Sequence, residues 1–337
     1  MKEFSYTRPD SAEAAVAAVA QDPDAVYLAG GTNLVDHLKL GVATPGSLVD
    51  VSRLPLDEVE PTPDGGLRIG ATARNSDLAA HPYVRRHCPL LARALLAGAS
   101  GQIRNVATTA GNLLQRTRCG YFQDPDARCN KRRPGAGCAA QEGWTRYHAI
   151  LGTSEHCLAA HPSDMAVALA ALDAVVVVQG REGERRVPLT HFHRLPDDRP
   201  DLETVLEHGE LVTAVEVPPL PYADRSAYRK VRDRASYAFA LVSVAAALDV
   251  RDGRVAGVRL ALGGVGTVPW RASVAEEALV GGPATEEAYR EALLAELAQA
   301  SPREDNAFKI PMARSTAVSV LRQLTQDPSP AGRRDQP

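Results

Sequence analysis

The first apolar stretch, residues 12–20, is rich in Ala and Val and follows Asp10-Ser-Ala-Glu13, a capping signal that predicts a helix. Ala25-Val-Tyr-Leu28 reads as a strand running into Gly30-Gly31, and Leu48-Val-Asp-Val51 reads as a second short strand. Residues 1–53 therefore predict a small β-α-β unit. Leu67-Arg-Ile-Gly70 begins another strand after the Pro-Asp-Gly-Gly turn at 63–66. Residues 89–99 predict a buried helix, residues 163–173 a second helix with Ser163 as N-cap, and Ala174–Val178 a buried strand. Residues 195–208 carry mixed loop signals, and Leu211–Val217 reads as a strand. The rigid Pro218-Pro219-Leu220-Pro221 that follows marks a domain boundary. Beyond it, 228–232, 239–250 and 255–262 predict strands, and 285–300 and 313–324 predict amphipathic helices. The Pro-rich polar tail 326–337 predicts disorder. There is no internal repeat, and strands and helices alternate without a regular βαβ rhythm, so the expected class is α+β.

Length narrows this to about two domains for 337 residues. Apolar residues are 45% and charged residues 23%, as in ordinary globular proteins. The net charge of −3 and the 5% of aromatic residues oppose a nucleic-acid partner. No apolar run reaches the length of a membrane span, and the N-terminal residues lack the apolar core of a signal peptide, so the expected compartment is cytoplasmic by the chain's own sequence.

The chain has no Gly-x-Gly-x-x-Gly, Walker loop, Gly-x-Ser-x-Gly or His-Glu-x-x-His. Any nucleotide must be held by another device. Leu28-Ala29-Gly30-Gly31-Thr32-Asn33-Leu34 runs from a strand into two glycines, which lets successive backbone N–H groups face one anion. Ala107-Thr108-Thr-Ala-Gly111-Asn112 repeats the combination of small, hydroxyl and amide residues. Either loop alone is a plain turn or a close-packing device. Two together suit the two phosphates of one diphosphate. His161-Pro-Ser-Asp164 places a helix start where Asp164 can accept from a ribose hydroxyl or a flavin N–H, and equally reads as a simple N-cap.

Of the five cysteines, Cys119, Cys129, Cys138 and Cys157 fall in one stretch. Their spacing is compatible with zinc and with a [4Fe-4S] cluster alike, although no Cys-x2-4-Cys knuckle is present. The stretch is basic, with Arg116, Arg118, Arg128, Lys131, Arg132 and Arg133 against Asp124 and Asp126, and cations beside an anionic cluster raise its potential. Cys88 precedes Pro89 and an apolar helix and reads as a core thiol.

These segments in this order, together with Ile103-Arg-Asn-x-Ala-Thr-x-Ala-Gly-Asn112, Tyr228-Arg-Lys-Val-Arg-Asp-Arg-Ala-Ser-Tyr237 and Leu260-Ala-Leu-Gly-Gly-Val265, resemble the FAD-binding subunits of the xanthine dehydrogenase family of molybdenum hydroxylases. Asn112-Leu-Leu-Gln-Arg-Thr-Arg-Cys119, Cys129-Asn-Lys-Arg, Gly135-x-Gly-Cys138 and Ser154-Glu-His-Cys157 look like the [4Fe-4S]-containing members found in periplasmic aldehyde oxidoreductases. The resemblance implies a two-lobed FAD-binding domain of the vanillyl-alcohol-oxidase/PCMH type over 1–220, with lobes at about 1–53 and 54–220 and an iron–sulfur insertion at about 115–157. A small C-terminal sheet-and-helix domain would cover 221–325. It implies FAD on residues 28–34, on Ala107, Thr108, Gly111 and Asn112, and on Asp164, Lys230 and the backbone at Leu211, with the cluster on the four cysteines. It further implies a molybdenum-cofactor large subunit, a [2Fe-2S] small subunit, electrons arriving at FAD from the latter, and export, if any, on a partner's signal. No catalytic acid or base is expected on this chain. A stand-alone FAD oxidase and a zinc-stabilised nucleic-acid module are the alternatives.

Overall fold

A computed structural model describes residues 1–326; past Gln326, the tail expected at 326–337 lies outside the described residues. Strands β1 (Ser5–Thr7), β2 (Ala25–Leu28) and β3 (Ser47–Asp50) form a parallel sheet in the order β1-β3-β2. Helix Ala12–Gln21 starts where the Ser11 hydroxyl accepts from the Ala14 N–H (3.1 Å), and it buries Ala15, Val16 and Val19 against Val49, Val51 and Leu54. Helix Leu34–Leu40 begins immediately after the two glycines.

The second sheet is antiparallel, with β4 (Val59–Pro61), β5 (Leu67–Gly70), β6 (Val175–Gly180), β7 (Gly183–Pro188) and β8 (Leu211–Val217) in the order β4-β5-β8-β6-β7. Helices Asn75–Ala80, Pro89–Ala97 and Asp164–Ala171 pack with it into one core. The expected helix 89–99 stops at Ala97, because Gly98 is extended and Ala99 takes φ +51°. Every residue of helix Asp164–Ala171 is buried. It lies between the second sheet and the third, where a Cβ on Gly263 would fall 2.5 Å from the Val167 side chain.

The third sheet is antiparallel, with β9 (Ser226–Val231), β10 (Val242–Arg251), β11 (Arg254–Gly263) and β12 (Trp270–Arg271) in the order β12-β11-β10-β9. Helices Ser273–Leu279, Glu286–Leu297 and Lys309–Gln326 share a core with it. The last helix begins four residues before the expected 313, because Pro311 sits in its first turn, where no intrahelical N–H bond is lost. Among the described residues no helix is long and apolar enough to cross a membrane.

Residues 115–157 have little regular structure, yet they are tightly organised. Arg132 donates to the carbonyls of Tyr121 (3.0 Å), Phe122 (2.7 Å), Asp124 (2.7 Å), Pro125 (3.1 Å) and Ala127. Phe122 is fully buried beneath the Arg116 guanidinium and meets His37 edge-on.

Candidate functional site

The two glycine loops meet back to back. A Cβ on Gly30 would drive into the Val106 carbonyl, 2.9 Å from its carbon, so glycine is needed for this approach. Gly31 has φ +69°, which glycine adopts without strain. Among the described residues, the N–H groups of Gly31, Thr32 and Asn33 donate to no protein acceptor, which leaves a row of half-buried donors suited to an anion. The second loop is stitched to residues 71–75 by Asn75 N–H to Ala107 O, Thr109 N–H to Ala73 O and Ala110 N–H to Ala71 O, each 2.9 Å. Thr108 caps helix Thr109–Leu113 by accepting from the Gly111 N–H.

Thr32, Asn33, Ala107, Gly111, Asn112, Asp164 and Lys230 line one cleft of about 970 Å3, open solvent included. Leu28, Ala29, Gly30, Gly31, Leu34 and Thr108 belong to the same loops but do not line it. Leu211 lines neither this cleft nor its neighbour; it is buried with Ala15, Val16 and Val19 in the core of the first lobe. Asp164 is held from the third sheet, accepting from the Tyr228 hydroxyl (2.6 Å) and the Lys230 ammonium (2.7 Å), while Lys230 also donates to Ala97 O (3.2 Å). The Ser163 hydroxyl donates to Asn112 Oδ1 (2.6 Å), and Arg116 N–H donates to Asn33 Oδ1 (2.8 Å), so both loop asparagines are locked.

A second cleft of about 1430 Å3, open solvent included, continues from the first through Arg118, Pro162, Asp164 and Tyr237–Phe239. Sequence reasoning missed this wall. Tyr237 takes φ +52°, as Ala99 takes φ +51°, and both line the first cleft. Left-handed backbone at non-glycine residues costs energy, and among the described residues two of the five such positions fall on this one cleft. The turn at Tyr237 also explains why the strand expected at 239–250 starts only at Val242. His161 lies on the second cleft and packs against His193, and burial pushes the His193 pKa down to about 4. The His161 pKa is also well below the usual imidazole value, by burial and then by the neighbouring His193.

The four cysteines line one smaller space of about 280 Å3, open solvent included, with Phe122, Lys131 and Leu158. Cys129 and Cys138 face each other across an antiparallel bridge, and Ser154 and Cys157 across another. Burial pushes the Cys119 pKa up to about 12 and raises those of Cys138 and Cys157, while Lys131 opposes the rise at Cys157. Among the described residues no three His, Cys, Asp or Glu side chains converge closely enough for a single metal ion. Cys88 is buried in the second core, apart from this set, with its pKa raised to about 11 by burial. The basic residues of this stretch are partnered: Lys131 (2.9 Å) and Arg116 both pair with Glu203, Arg128 pairs with Glu142, and Arg132 is used on carbonyls.

Two loops of donors around a cleft, with a carboxylate at its centre and a sheet-and-helix unit closing it, define a nucleotide-binding flavoprotein fold. The chain belongs to the family described as the FAD binding domain in molybdopterin dehydrogenase, which matches residues 2–220; the CO dehydrogenase flavoprotein C-terminal domain matches 226–327. Among its relatives, the aldehyde oxidoreductase FAD-binding subunit PaoB of Escherichia coli is 53% identical over 95% of this chain and 98% of that protein. The glyceraldehyde dehydrogenase medium chain of Sulfolobus acidocaldarius is 28% identical over 90% of each chain. A solved carbon monoxide dehydrogenase from Hydrogenophaga pseudoflava aligns with TM-score 0.74 and 28% identity over 95% of this chain and 96% of its own. The chain is thus an FAD-binding subunit of the molybdenum hydroxylase family, and the stand-alone oxidase and the zinc-stabilised nucleic-acid module are set aside.

Proposed function

We propose that this chain is the FAD subunit of an aldehyde-oxidising molybdenum hydroxylase, assembled with a molybdenum-cofactor large subunit and a [2Fe-2S] small subunit. We also propose that residues 115–157 carry a [4Fe-4S] cluster on Cys119, Cys129, Cys138 and Cys157. The aldehyde class is supported by the 53% identity to PaoB across nearly the whole chain. The observation that carries the flavin assignment is the unpartnered N–H pair of Thr32 and Asn33, next to that of Gly31, on the cleft that Asp164 and Lys230 also line. When bound, FAD supplies two-electron redox chemistry, and the protein supplies position and electrostatics. The residues of this chain act by holding. The glycine loops cradle the diphosphate, Tyr228 and Lys230 fix the Asp164 carboxylate, and the Tyr237–Phe239 wall shields the cleft from water.

The cluster reading is supported by the cavity the four thiols share. All four cysteines line one space, and a four-thiolate donor set of this kind suits a cube of iron and sulfide. Co-expression of the three subunits followed by metal, sulfide and flavin analysis tests both readings. Four iron and four sulfide per FAD on this chain, with aldehyde turnover only in the assembled complex, is the expected result. Zinc without iron overturns the cluster, and aldehyde turnover by the isolated chain overturns the subunit reading.

A further inference from the structure

The cysteine cavity and the large cleft are two spaces with a common wall. Cys119 lines both; among the described residues, Cys129, Cys138 and Cys157 line only the cysteine cavity. The cleft side of Cys119 is occupied by His148, whose Nε2 lies 3.2 Å from its Sγ. His148 is 5% exposed and is held from several sides. Its carbonyl accepts from the Lys309 ammonium (2.9 Å) and the Asn306 amide (3.4 Å), its N–H donates to Thr145 O (2.8 Å), and its ring lies beside Tyr121. Lys309, fully buried, also donates to Gly264 O (2.7 Å), so the last helix of the third unit fixes this one residue of the cysteine segment.

The ring has a single sensible tautomer. Nδ1 is buried and has no partner. A proton there would be an unpaired buried donor, which costs about 1–3 kcal/mol. A proton on Nε2 instead points at the sulfur. We propose that His148 is a positioning residue that donates a hydrogen bond to Cys119 Sγ, raising the reduction potential of the cluster at the ligand that faces the FAD cleft. This rests on the cluster reading above. The physical cause is general: the reduced cluster carries more negative charge on its sulfurs, so an N–H donor stabilises it more than the oxidised form. The backbone N–H groups of Tyr121 and Phe122 also face Cys119 and remain in any side-chain variant.

The test uses the assembled complex, with EPR-monitored redox titration of the wild type, His148→Leu and His148→Gln. His148→Leu is expected to keep four iron per FAD and to shift the midpoint downward, a tenfold change in the reduced-to-oxidised ratio being 59 mV for a one-electron couple. His148→Gln, which keeps an N–H donor, should recover part of the shift. Equal midpoints in all three proteins at full iron content overturn the proposal. A second arm needs no variant: in the wild type labelled with 15N-histidine, pulsed EPR of the reduced cluster should show coupling to a histidine nitrogen. A full-iron sample without that coupling overturns the proposal, even if His148→Leu fails to hold iron. A wild-type complex without iron overturns the cluster reading and this inference with it, whereas an iron-replete complex that fails either test leaves the cluster standing and removes only His148.

Discussion

Replacing Gly30 by Ala asks whether the two glycine loops must touch for the cleft to hold FAD. The added Cβ would sit 2.9 Å from the Val106 carbonyl carbon and 3.3 Å from Ala107 Cα. Carbon atoms prefer about 3.5–4.0 Å, so the loops must part by roughly 1 Å. All three neighbours of that Cβ are main-chain atoms, and no side chain can swing aside. Overpacking of this kind costs about 1–3 kcal/mol. If all of it is expressed in ligand binding, FAD binds about 5- to 150-fold more weakly. Two neighbouring glycines separate the causes. Gly31→Ala meets only side chains, Val35 at 3.0 Å and Leu28 at 3.6 Å, but forces φ +69°, while Gly41→Ala forces φ +72° with nothing within 4 Å. Gly41→Ala therefore carries the left-handed cost, about 1–2 kcal/mol, without a clash. Titration of flavin fluorescence on the stripped chain, with thermal melts alongside, should show a large loss of FAD affinity for Gly30→Ala. For Gly41→Ala it should show a lower melting temperature at unchanged affinity. Wild-type FAD affinity in Gly30→Ala would refute the claim that apposition of the loops builds the cradle.

Serine at Cys119, Cys129, Cys138 or Cys157 should abolish bound iron, whereas Cys88→Ser, buried in a different core, should lower stability by about 1–2 kcal/mol and leave iron analysis unchanged. Arg132→Ala removes donors from the carbonyls of Tyr121, Phe122, Asp124, Pro125 and Ala127, so limited proteolysis should cut residues 120–133 faster while FAD affinity stays the same. The pair His161 and His193 makes the fold acid-sensitive. Both folded pKa values lie below the ordinary 6.5, that of His193 at about 4, so the unfolded chain binds more protons and stability is lost as pH falls from 6.5 towards 4. At pH 5 the loss is on the order of 2 kcal/mol for His193. Urea midpoints at pH 7 and pH 5 should differ accordingly, and His193→Phe should flatten the difference; an unaltered pH slope in that variant would show that another group is responsible.

The pattern read well wherever an element is a short, continuously buried apolar run. Leu67–Gly70 and Leu211–Val217 have the expected bounds, and Ser163 caps its helix by accepting from Ala166 N–H (3.0 Å). It failed where pairing, not pattern, makes the element. All three residues of β1 are exposed, and the strand exists because it pairs in parallel with Ser47–Val49. The walls of the cleft were hidden for a related reason. Ala99 and Tyr237 hold left-handed backbone that neither residue type advertises, and nothing in the letters says that Gly30 abuts Val106. Leu211 lies in the strand where the sequence places it, with its side chain in the first-lobe core, and the flavin contact implied for it is through its backbone. The six basic residues between 116 and 133 are legible as charge but their partners are not: Glu203, Glu142 and a set of carbonyls take up most of them.

The cysteines mark the boundary between what spacing can and cannot tell. A Cys-x2-4-Cys knuckle is legible because both ligands ride one turn, so the separation in sequence is the geometry. Here each ligand is delivered by a different device. Cys119 stands at the start of helix Gly120–Gln123, Cys129 and Cys138 face each other across a two-residue bridge, and Cys157 closes the turn from Ser154. Their separations in sequence are set by the lengths of the intervening loops and carry no information about the cavity they enclose. That is why the letters alone left zinc and iron–sulfur level. The same reasoning bears on assembly. Arg132, buried Phe122 and the Lys131–Glu203–Arg116 ion pairs are contacts that involve no metal, so the segment is expected to keep its shape before a cluster enters. A chain purified without iron should therefore resist protease across 116–157 nearly as well as the loaded one, and reconstitution with iron and sulfide should proceed without a change in far-UV circular dichroism. Unfolding of that segment on iron removal, read by hydrogen exchange, would show that these contacts are too weak to hold it alone.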